Sequence, residues 1–106
     1  MNEYEKELMK APSIEGNHCA FCGRPATERH HVVPRSQGGS KGPTIPVCGM
    51  GNASGCHGLL HAHKLHPTYS ELLGWEYIYT QEPMKYEKAL EIKDGWLSMK
   101  GEWSRD

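Results

Sequence analysis

All four cysteines and five of the seven histidines fall between residues 18 and 61, in the order Cys19-x-x-Cys22, His30-His31, Cys48, Cys56-His57 and His61. Thiolates and imidazoles suit different tasks. A four-sulfur set suits a closed tetrahedral zinc that holds structure, while an imidazole set suits a second, open ion that can meet a substrate. One short region therefore carries ligands for two metal sites, Cys19, Cys22, Cys48 and Cys56 for the first and His30, His57 and His61 for the second.

Cys19-x-x-Cys22 reads as half of a zinc knuckle, and Cys48 with Cys56 supplies the other half. Twenty-five residues separate Cys22 from Cys48, enough for a hairpin to leave and return. The seven residues between Cys48 and Cys56 exceed the usual two to four, so a looped-out insertion is expected between Gly49 and Gly55. The alternative is that Cys56 is a buried free thiol and that His18 or another group completes the site.

Neighbouring residues on a strand point to opposite sides. With His30 on an ion together with His57 and His61, His31 faces a different atom, such as an attacking water. Metal charge on a phosphate combined with an imidazole base suits phosphodiester hydrolysis. Arg35, Lys41 and Lys64 are the candidate phosphate contacts. Glu28, two residues before His30, shares its side of the strand and can orient a ligand imidazole, or else pair with Arg29 or Arg24. His18, His63 and His66 read as solvated or capping side chains.

These residues need a hairpin and a helix to position them. The sequence predicts a strand over 27–33 ending at Pro34, a glycine-rich loop over 36–43 turning at Gly38-Gly39, and a return strand over 45–47 that delivers Cys48. A helix over 56–66, closed by Pro67, would put His57 and His61 one turn apart on one face. Residues 2–10 read as a short polar helix. Leu72, Leu73, Trp75, Tyr77, Ile78 and Tyr79 suffice for one strand, and 84–92 for a second short helix.

A chain of 106 residues, 37% hydrophobic, with 12 glycines and 7 prolines, has a small core and is expected to need a metal or disulfide staple. No apolar run is long enough for a secretory leader or a membrane span, so the expected setting is cytoplasmic, without a membrane partner, and there the cysteines read as metal ligands. The net charge of −1 conceals a basic centre: residues 18–66 carry +4, residues 1–17 carry −2 and residues 67–106 carry −3. A basic stretch that coincides with the ligand cluster is what a polyanion-binding face requires.

In ERHHVVPRSQGG followed by VCGMGNASGCHGLLHAH the chain resembles the HNH endonuclease family. The likeness spans residues 19 to about 66, and the small size and GCHG segment resemble members from bacteriophages and prophages. It implies an α+β fold with a ββα-metal hairpin-helix core (17–67) stapled by a four-cysteine zinc, an accessory helix (1–16) and a C-terminal extension (68–106). It implies that His30 and His57 are metal ligands, His31 the general base and His61 an additional ligand. It further implies DNA as substrate, catalytic Mg2+, Mn2+, Ni2+ or Zn2+, partners in phage packaging or recombination, and a bacterial host cell as the setting. One departure stands out. The family's middle asparagine, which braces the loop carrying the base, is missing from residues 42–46 (GPTIP); Thr44 is the available substitute, and Asn52, after Cys48, is poorly placed. The alternative readings are a non-catalytic, zinc-stabilised module that binds nucleic acid or a phage protein, and a structural accessory in DNA packaging or recombination, with Trp75, Trp96 and Trp103 either a docking surface or, more commonly, packing for the small core.

Overall fold

In chain order the elements are α1 (Glu3–Leu8), β1 (Ile14–Glu15), β2 (Glu28–His31), β3 (Thr44–Val47), α2 (Gly55–His61), β4 (Leu65–Ser70), β5 (Gly74–Tyr79), α3 (Tyr86–Ala89), β6 (Leu97–Ser98) and β7 (Glu102–Trp103). This is an α+β arrangement with antiparallel pairing throughout: β2 with β3, β4-β5-β6, and β1 with β7. The computed structural model describes residues 3–51, 53–100 and 102–103; Asn2, Asn52 and the Trp103 side chain lie outside the described residues.

The expected hairpin forms, in a register running from Glu28↔Val47 to His31↔Thr44. Its first strand is shorter than 27–33 because the chain dives inward after His31 and Val33 becomes fully buried. The glycine-rich connection is two 3-10 turns, Arg35–Gln37 and Gly39–Lys41, joined at Gly38, whose φ of 88° favours glycine. The strand pair, α2 and β4 enclose Ile45, Val47, Leu60 and Leu65. Full burial of one such aliphatic side chain is worth about 1.5–3 kcal/mol.

The helix expected over 56–66 stops at His61. Lys64 N–H bonds back to Leu59 O (3.0 Å), His63 N–H bonds to Leu60 O (3.2 Å), and His63 takes φ 59°. That is a Schellman stop with histidine in the left-handed position, where glycine is commoner. The chain then enters β4, and Pro67 lies inside that strand opposite Tyr77. Proline is tolerated there because β4 is an edge of its three-stranded sheet. β4 also runs across the boundary between residues 67 and 68.

The C-terminal segment contributes more than the one strand expected: β4, β5 and β6 form a sheet. Residues 84–92 yield the four-residue α3. The N-terminal segment is part of the core rather than an appendage, since Leu8, Ala11 and Ile14 are buried with Trp75. Trp75, 1% exposed, donates Nε1–H to Pro12 O (2.9 Å) and packs the core, while half-buried Trp96 donates to Ile92 O within its own turn (2.6 Å). Among the described residues no helix is long and apolar enough to cross a membrane.

Candidate metal sites

Cys19 and Cys22 come from the turn before β2, Cys48 follows β3, and Cys56 opens α2. Their four sulfurs lie within 4.8 Å of one another, with Cys22 and Cys48 Sγ 3.6 Å apart, and all four are free thiols. Zinc–sulfur bonds of about 2.3 Å in a tetrahedron set sulfur–sulfur edges of about 3.8 Å, so the set fits a closed zinc site. Burial opposes a charged Cys19, yet the backbone N–H groups of Cys22, Phe21 and Cys48 outweigh it and bring the thiol down to about 7. Burial pushes Cys22 and Cys56 up, and neighbouring sulfurs add to the rise. Crowded sulfurs that resist ionising side by side are what a shared divalent cation stabilises. His18 is exposed and outside the set; Cys56 takes the fourth place.

The seven-residue spacing before Cys56 is the expected looped-out insertion, closed by a narrow neck. Gly49 (φ 118°) and Gly55 (φ 64°) cross so closely that a Cβ on Gly49 would overlap Ser54 O, and one on Gly55 would meet Gly49 Cα and Cys48 O. Within it, Met50 N–H bonds to Ser54 Oγ (3.0 Å), and the Cys56 N–H reaches Cys48 Sγ (3.4 Å).

The second set gathers His30 from β2 with His57 and His61 from α2; one nitrogen from each lies within 4.8 Å of the others. His57 and His61 Nε2 are 3.2 Å apart, close to the edge of about 3.3 Å implied by metal–nitrogen bonds of 2.0–2.1 Å. The three rings stack edge-on or tilted, with centroids 4.8–5.7 Å apart. Burial, followed by the neighbouring imidazoles His57, His61 and His31, pushes His30 down to about 4. Burial and then His57 lower His61. Both effects favour neutral rings, the form that ligates metal.

Glu28 lies on the same side of β2 as His30, but the imidazole it holds is that of His57. Its Oε1 accepts His57 Nδ1–H at 2.9 Å and Gly51 N–H at 2.6 Å, and these two bonds hold the carboxyl below its usual range. A carboxylate only accepts, so the proton sits on His57 Nδ1 and Nε2 keeps its lone pair for an ion. Glu28 therefore pairs with neither Arg29 nor Arg24. Arg29, on the opposite face, donates Nε–H to Thr44 Oγ1 (3.0 Å) and Nη2–H to Thr44 O (3.1 Å) and Ile14 O, tying the hairpin to β1. Thr44 Oγ1, the substitute for the missing asparagine, is thereby engaged by Arg29.

His31, half-buried at the end of β2, stands outside the clustered nitrogens. Arg35 and Lys41 are exposed on the hairpin's connection and Lys64 is half-buried in the turn after α2. His66 departs from the solvated reading: it is 3% exposed, bonded to Thr80 Oγ1 (3.2 Å), and lowered by burial. Sequence reasoning missed Gly51, whose amide matters only once the loop folds over Glu28. It also missed the anchoring role of Arg29, since an arginine beside a histidine pair carries no signal of what its guanidinium will reach. No protein-family model, curated protein or solved structure matches this chain.

Proposed function

We propose that the chain is a metal-dependent DNA endonuclease of the HNH type, with a structural zinc on Cys19, Cys22, Cys48 and Cys56 and a divalent ion on His30, His57 and His61. The observation that supports it is the convergence of a strand histidine and two helix histidines beside a four-thiolate cluster, with a further imidazole, His31, adjacent in the chain and outside both sets. When bound, the ion supplies positive charge to the scissile phosphate and the departing oxygen. Imidazole accepts protons near neutral pH, and His31 takes the proton of the attacking water. Glu28 keeps the His57 proton on Nδ1, and Arg35, Lys41 and Lys64 hold phosphates, which positions the strand without reading its sequence.

Supercoiled plasmid incubated with EDTA, magnesium, manganese, nickel or zinc tests this reading. Metal-dependent nicking or linearisation is expected, and His31→Ala should reduce it by about 100-fold or more while leaving zinc content and circular dichroism unchanged. A His31→Ala protein as active as its parent would refute the base assignment. The missing middle asparagine favours a second reading, a zinc-stabilised nucleic-acid-binding module, since within residues 42–46 only Thr44 can stand in for it and its Oγ1 already accepts a bond from Arg29. Full zinc occupancy with no cleavage in any metal would favour it.

A further inference from the structure

The two clusters are not independent. Cys56, a sulfur ligand, and His57, a nitrogen ligand, are successive residues at the start of α2. The loop between Cys48 and Cys56 is longer than a zinc knuckle needs and is pinched shut at Gly49 and Gly55, and its Gly51 lies against β2. There the Gly51 amide meets the same Glu28 oxygen that accepts the His57 Nδ1 proton, at 2.6 and 2.9 Å. His57 N–H in turn bonds to Cys48 O (3.0 Å), and Thr27 Oγ1 donates to Gly49 O, closing the loop on both sides. One carboxylate oxygen thus joins the thiolate loop to an imidazole ligand of the other site.

We propose that Glu28 is a positioning residue that couples the two centres: the ordered four-cysteine loop fixes Glu28 through Gly51, and Glu28 fixes the tautomer and ring direction of His57. The extra residues between Cys48 and Cys56 are then the part of the first site that reaches the second. Carboxylates behind ligating imidazoles commonly raise metal affinity by 10- to 100-fold. By linkage, an ion on the histidines tightens the Gly51 contact as well. The inference rests on the reading that the three histidines hold a metal.

The test is Co2+ titration of zinc-loaded protein, followed by its visible d–d absorption, in the parent, Glu28→Gln and Glu28→Ala. Glu28→Ala should weaken Co2+ binding by about 10- to 100-fold. Glu28→Gln keeps a neutral acceptor for the Nδ1 proton and should recover part of the loss. Nitrogen-15 shifts of His57 in metal-free histidine sites should report the Nδ1–H form in the parent and a mixture with Nε2–H in Glu28→Ala. Amide exchange at Gly51 should slow on loading the histidine site with Zn2+ in the parent and not in Glu28→Ala. Parent-like Co2+ affinity and an unchanged His57 tautomer in a folded Glu28→Ala protein would overturn the proposal and leave the metal reading standing. No cobalt spectrum in the parent would instead overturn the metal reading.

Discussion

At the scale of single residues, the cysteines and His66 must all be free of their titrating proton, which leaves the sulfurs charged and the imidazole neutral. Each sulfur in the proposed zinc site must ionise, and structural zinc in small domains contributes an apparent 10–16 kcal/mol, about the whole stability of such a chain. Cys22→Ala should therefore lose both the metal and the fold, read by metal analysis and circular dichroism; a folded variant with full zinc would remove Cys22 from the ligand set. His66 must instead stay neutral. Burial lowers it, with His63 and Thr80 as its near neighbours, so the unfolded chain binds its proton first as the pH falls below about 6.5. Folding stability is then present above that range and declines under acid. His66→Gln should flatten the decline below about pH 6.5 in urea midpoints, and identical slopes would show that His66 does not contribute.

At the scale of elements, the thiolate loop depends on two glycines in very different surroundings. Gly55 combines a positive φ with a neck too narrow for a Cβ, whereas Gly51 has a positive φ and open space. Gly55→Ala should cost about 2 kcal/mol or more, and Gly51→Ala about 1 kcal/mol, in denaturant unfolding; equal costs would show that strain, not crowding, governs the loop. The hairpin, the cysteine cluster and the i, i+4 histidines were legible in the sequence because ligand spacing and the proline and glycine stops around the strands are local signals. The end of α2 was not. Pro67 is the obvious stop in the sequence, but the helix stops at His61, the second of its clustered histidines, through backbone bonds to Leu59 and Leu60 that composition does not announce. The small C-terminal sheet was equally hidden, since β6 has only two residues and forms only because β5 offers it a partner. Glu28 was placed on the correct side of β2, but its true partner sits 29 positions away and emerged only with the packing of α2.

At the scale of the whole molecule, the basic centre is folded so that its candidate phosphate contacts come from two places, the hairpin connection (Arg35 and Lys41) and the turn after α2 (Lys64). If all three meet DNA phosphates, the logarithm of affinity should fall with the logarithm of salt at a slope of about −3, and replacing all three by alanine should bring the slope close to zero. Fluorescence anisotropy over a salt series reads this directly, and an unchanged slope in the triple variant would exclude that face. Trp75 carries a separate, practical consequence. Its indole is sealed in the interior at 1% exposure and tied to Pro12 across 63 positions of chain. The molecule therefore carries its own optical reporter: with Trp96 and Trp103 replaced by phenylalanine, Trp75 emission senses whether the N-terminal segment is seated on the C-terminal sheet, with no attached dye and no change to either side-chain cluster.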